Sequence, residues 1–259
     1  VISCAVVVPS APLLVPELVP GSRLGDEVRA AAVDAASRLP SRWLAVGVGT
    51  LSDGVSGLAS GVVESDRVGT FRAFGPDVPV TLRSEATGTS GSAATGTSAD
   101  DTSEDLPLSV LIAGWLRDQA GAESVRAHLV AADASPAECA AFGEKLAAGE
   151  AATDPASAWG LLVVGDGSAR RDTAPPGEAD ERAEGFDRAV AAALAGADVD
   201  ALAELDPVVA RELRAEGRAP WQVLAGFARA RGGDWAGELV YSEAPRGVGY
   251  HVAVWRPSE

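Results

Sequence analysis

An α/β architecture, with a central mixed β-sheet flanked by helices, is what this sequence predicts, and three observations predict it. Short apolar runs such as Ala5-Val6-Val7-Val8 and Trp159-Gly160-Leu161-Leu162-Val163-Val164 stop at Pro or Gly and read as strands buried on both faces. Alanine-rich stretches with helical spacing alternate with them. The chain then closes on two strand-like runs, Glu238 to Tyr241 and Gly249 to Trp255, an antiparallel edge to an otherwise parallel pattern.

Taken in order, the opening strand ends at Val8 and runs into Pro9-Ser10-Ala11-Pro12-Leu13-Leu14-Val15-Pro16. Three prolines in eight residues forbid an α-helix, so Ser10 is placed in a rigid loop just past the strand. Asp26 to Leu39 is a helix with its acids early and Arg38 late, matching the macrodipole. Trp43 to Thr50 is a strand ended by glycines, which puts Gly49 and Thr50 at the same sheet edge as Ser10.

Leu51 to Leu82 is glycine-rich and irregular, with short extended pieces at Gly69 to Phe74 and Val78 to Leu82. Ser84 to Asp105 repeats Ala-Thr-Gly-Thr-Ser and then turns acidic, a composition too poor in apolar side chains to offset its ordering entropy. We read it as a disordered insertion in a single domain spanning 1–259.

Leu106 to Leu116 is the next helix and Val125 to Val130 the next strand, carrying His128. Ser135-Pro136-Ala137-Glu138 is a capping box that opens a helix to Ala148. After the strand at Trp159 to Val164 come helices over Glu178 to Leu194 and Val199 to Leu205, with Asp206-Pro207 and Ala219-Pro220 each opening another.

Composition narrows the partners. With 47% hydrophobic residues the chain can bury a full core, and 37 acidic against 21 basic residues give a net charge of −16 that repels nucleic acid and anionic membranes. Cys4 and Cys139 lie far apart and suit a reducing compartment. The first residues lack a basic region, and their apolar run breaks at Pro9, so neither a signal peptide nor a membrane span is expected and a cytoplasmic location is. A small-molecule ligand and a homo-oligomer are both compatible with these totals.

Ligands in open α/β sheets bind beyond the carboxyl ends of the strands. The polar residues there form the candidate pocket: Ser10, Thr50, Asp166, Ser168, Arg170 and Glu243, with Arg171 beside them. Gly165-Asp166-Gly167-Ser168 matches neither a P-loop nor a dinucleotide fingerprint and is a good turn. Only two histidines, His128 and His251, are present, which excludes a three-histidine zinc site.

Three stretches carry a resemblance. Val8-Pro9-Ser10-Ala11-Pro12-Leu13-Leu14-Val15-Pro16-Glu17-Leu18 resembles the opening motif of the class III extradiol ring-cleavage dioxygenase superfamily, which often reads Val-Pro-His-Pro-Pro-Leu. Gly165-Asp166-Gly167-Ser168-Ala169 is similar to its Gly-Asp-Leu-Ser-His, and Glu243-Ala244-Pro245-Arg246-Gly247-Val248-Gly249-Tyr250 to its Glu-Gly-Pro-Phe-Gly-Val-Gly-Tyr. Gly69 to Gly75 and Arg218 to Leu224 look like stretches of an uncharacterised actinobacterial branch of that superfamily.

The resemblance implies a mixed-sheet α/β fold and, in active members, Fe(II) held by two histidines and a glutamate, with a further histidine as acid/base. At the positions that match, this chain has Ser10, Gly49 or Thr50, and Ala169 in place of histidines, and keeps only Glu243. A serine hydroxyl is a poor Fe(II) ligand beside imidazole. The expectation is a degenerate protein of this fold that needs no cofactor and binds a small molecule. One alternative is an active dioxygenase whose metal site has moved to His128 or His251. A third reading is metal-free hydrolytic or transfer chemistry on Asp166, Ser168 and Glu243, with Arg170 or Arg171 holding an anion.

Overall fold

The computed structural model describes residues 2–49, 61–84, 105–149, 158–175 and 177–258. Thr50 and residues 85–104 of the expected insertion lie outside them. The chain is α/β: a seven-stranded mixed sheet between two layers of helices.

Strands β1 (Ile2–Val8), β2 (Arg42–Val48), β6 (Ser124–Val130) and β7 (Trp159–Val164) run parallel in the order β6-β2-β7-β1. On one side the short β3 (Gly61–Val63) pairs antiparallel with β6. On the other, β9 (Tyr250–Pro257) pairs antiparallel with β1, and β8 (Trp235–Glu243) with β9. A separate ribbon is formed by β4 (Val68–Thr70) and β5 (Pro79–Thr81).

Alternation along each strand divides the core in two. Val6, Val8, Trp43, Ala45, Leu162, Val164 and Val254 face α1 (Asp26–Ala36) and α2 (Leu108–Gln119). Val7, Leu44, Val46, Leu161, Val163, Ala253 and Trp255 face α3 (Pro136–Ala148), α4 (Arg182–Gly196), α5 (Val199–Ala203) and α7 (Arg218–Arg231). Burial on both faces is why these strands read as continuous apolar runs. The buried indoles of Trp43 and Trp255 donate to Pro40 O at 2.6 Å and Leu194 O at 2.8 Å, so neither costs the core an unpaired donor.

Helix starts follow the local chemistry. Ser135 and Glu138 close the capping box of α3, and Asp206 caps α6 (Pro207–Glu212) through the N–H groups of Val208 and Val209. Helix α7 starts one residue before Ala219-Pro220, on Gly217, which sets Pro220 third in the helix. The first turn has no intrahelical acceptor for its N–H groups, so proline is tolerated anywhere in it. The stretch Gly69 to Phe74 is half strand and half a 3-10 turn (Phe71–Phe74), stopped by Gly75 at φ +147°. β8 starts at Trp235, three residues before the expected Glu238, and carries an irregularity between Leu239 and Tyr241.

Helices α3 and α7 approach closely because glycine lies at the crossing. A Cβ on Gly143 would lie 2.3 Å from Val223 O and 2.4 Å from Phe227 N, both backbone atoms that cannot swing aside. Gly143→Ala is therefore expected to lower stability by about 1–3 kcal/mol, the cost of forced overpacking. Urea denaturation checks this, and an unchanged midpoint would show that the helices part freely.

Candidate functional site

The parallel register sets the first feature. Val8 pairs with Val164, and two residues further on each strand the chain reaches Ser10 and Asp166. The Ser10 N–H donates to Asp166 Oδ1 at 2.7 Å. Asp166 Oδ2 accepts no hydrogen bond among the described residues. Burial raises this carboxyl from 3.8 to about 7; the Ser10 N–H works against that shift and the nearby Glu216 adds to it. Ser10 lines a void of about 10 Å³ with Val48, Ser109, Gly165 and Glu216, room for about one water or one ligand heavy atom. Tyr250 adjoins, its phenol raised by burial and by the Asp166 charge.

Ser168 faces elsewhere. It is fully buried, its N–H donating to Asp187 Oδ1 at 2.8 Å and its hydroxyl to Asp187 Oδ2 at 3.0 Å. Asp187, on α4 and 3% exposed, also sits 3.6 Å from Arg171 Nη1 and 3.9 Å from His251 Nε2. His251 shares its Nδ1 with Ser242 Oγ at 3.0 Å and packs edge-on to Trp221. Gly167 and Gly249 leave the space Asp187 fills, since a Cβ on either would come within 2.7 and 2.5 Å of its carboxylate.

Glu243 ends β8 exposed, on the ridge between a cleft of about 230 Å³ shared with Arg171, Asp187 and His251 and a wider groove of about 800 Å³ beside Arg23, Glu27 and Tyr241. Neither shares a lining residue with the Ser10 void. Arg170 is partly buried and reaches the Glu178 carbonyl at 3.5 Å. His128 projects from β6 against Phe142 of α3, its Nε2 buried without a partner and its pKa lowered by burial and by Arg126. The structure thus joins Ser10 with Asp166, and Arg171 with Glu243 and His251; it keeps Ser168 and Arg170 apart from both.

An Fe(II) site of two imidazoles and a carboxylate does not fit these residues. Ser10 supplies a hydroxyl, Ala169 nothing, and Glu243 opens on a different cavity from Ser10. Among the described residues no three His, Cys, Asp or Glu side chains are arranged to hold an ion.

Three residues escaped the sequence reading: Asp187, Glu216 and Arg218. Asp187 had a signal, because it falls on the stripe Ala183, Asp187, Val190, Leu194 that α4 turns to the core. A carboxylate on an apolar stripe is buried with partners or not at all. Glu216 and Arg218 sit beside a loop and had no such signal.

No protein-family profile matches this chain, and no curated protein matches it. Among solved structures it is similar to the uncharacterized protein JW3007 from Escherichia coli K12, with a TM-score of 0.50 over 98% of this chain and 99% of that one. Identity between the two is 15%, so the likeness shows a shared fold and carries nothing about activity.

Proposed function

We propose that this protein is a degenerate relative of the class III extradiol dioxygenases that has lost iron chemistry and binds a small hydroxylated molecule at the carboxyl edge of its sheet. The observation that carries the reading is Asp166: one carboxyl oxygen is held by the Ser10 N–H and the other is unoccupied, beside a void the size of a hydroxyl. With its proton leaving near pH 7, this carboxyl donates a hydrogen bond to a ligand oxygen below neutrality and accepts one above it. The non-histidine residues at the matching strand ends support the loss of the metal. No helix among the described residues is long and apolar enough to cross a membrane.

Loading with Fe(II) under anaerobic conditions, desalting and exposure to catechol in air is the test. The expected result is far less than one iron per chain and no ring-fission absorbance. Catechol is expected to raise the melting temperature of the wild type and not of Asp166→Asn. Stoichiometric iron with catechol cleavage would end the proposal.

A further inference from the structure

Across Glu216 from the Ser10 void lies a cleft of about 320 Å³ between the loop after β6 and the α6–α7 turn. Pro207, Ala210 and Ala215 give it an apolar wall, and Arg218 lines its floor. We propose that this cleft binds a small monoanionic carboxylate, gripped by Arg218. The proposal is independent of the Asp166 reading, since it concerns a separate cavity.

Arg218 is 3% exposed and pairs with no carboxylate among the described residues. Its Nη1 donates to Ala134 O and to Gln222 Oε1 at 3.0 Å, and its Nη2 to Ala132 O at 2.5 Å. A guanidinium has five N–H donors, so Nε–H and one N–H of Nη2 have no acceptor among the described residues. A buried charge held only by neutral acceptors lacks its counter-charge. The three existing bonds fix the group in place, so little side-chain freedom is lost on binding an anion.

Two further features agree. Arg218 is the first residue of the 14-residue helix α7, whose cap Gly217 supplies no side-chain acceptor, so the positive end of the helix dipole faces the same region. Arg211, exposed at the rim, makes no ion pair among the described residues. The acids Asp133 and Glu216 also line the cleft and set its limit: they repel a dianion more than a monoanion, which favours a carboxylate over a phosphate. The apolar wall suits a ring or short alkyl body.

Titration calorimetry of the whole chain with sodium benzoate, against sodium chloride at equal ionic strength, tests the site. Saturable one-to-one binding is expected, weakened about threefold or more in Arg211→Gln and at least about tenfold in Arg218→Lys, where the fork geometry is lost. Arg42→Gln, which removes the same charge at the opposite end of the sheet, is expected to leave it unchanged. Because Arg218 also ties down the β6–α3 loop, its variant can fail to fold; the wild-type Arg218 Nε–H resonance, followed by NMR, then carries the test and is expected to move on benzoate addition. Absence of saturable heat, an unmoved Arg218 resonance, equal affinity in Arg211→Gln and Arg42→Gln, or tighter binding of phenyl phosphate than of benzoate would each overturn it. Benzoate binding and the catechol response can fail separately, which keeps the two proposals distinguishable.

Discussion

Asp187→Ala is expected to destabilise the fold by about 3–5 kcal/mol, the range for removing one partner of a buried charged cluster. The carboxylate satisfies two donors of Ser168, a residue with no exposed surface, and lies within ion-pair reach of Arg171. Its loss leaves an N–H and a hydroxyl unpaired in the interior and opens a hole that Gly167 and Gly249 cannot fill. Asp187→Asn keeps one acceptor and is expected to cost less than half as much. Guanidinium denaturation of the three proteins decides it; a loss below about 1 kcal/mol for the alanine variant would mean that the Ser168 strap finds other partners.

Asp166→Asn is expected to act in the opposite direction, stabilising the protein, and only at higher pH. The folded-state pKa of about 7 lies above the ordinary 3.8, so between these values the folded chain holds a proton that the unfolded chain has released. Stability therefore falls as pH rises through that window, and is fully lowered above about pH 7. Asparagine offers the same acceptor to the Ser10 N–H without the charge. With about 1.4 kcal/mol per pKa unit, discounted for the partial solvent access of this side chain, the gain at pH 8 is about 2–4 kcal/mol and is near zero at pH 4. Melting temperatures of both proteins from pH 4 to pH 8 check the sign and the window. A constant difference across that range would show that Asp166 is ionised throughout. Stability given up for an unpaired carboxyl is the pattern expected of a group kept for binding and not for folding.

Much of this architecture is legible in the amino-acid order. The four parallel strands are continuous apolar runs because helices cover both faces, and their ends fall where Pro9, Gly49 and Gly165 stop them. The capping box at Ser135 and the Asp206-Pro207 start rest on contacts within one turn, which residue spacing determines. The three-residue β3 is not legible, since a short edge strand exists only by pairing with β6. The start of β8 at Trp235, just past Gly232 and Gly233, is hidden for the same reason: its alternating exposure comes from lying on β9.

For the site the division is sharper. Ser10 and Asp166 can be named from their places at two strand ends, and their contact follows from the Val8–Val164 register. Ser168 and Glu243 look like members of the same pocket, because sequence can assign a residue to a sheet edge but not to a side of it. The structure turns Ser168 down to Asp187 and leaves Glu243 on a separate ridge.

The sequence by itself determined the layers, the strand ends and the replacement of histidine at the matching positions, because these depend on local periodicity, backbone restriction and residue identity. Only the tertiary structure decided which polar groups meet: Asp187 beneath Ser168, Glu216 between two cavities, and Arg218 buried without an acid. Those contacts span from 19 to 86 residues of chain, and no local pattern specifies a partner at such separations.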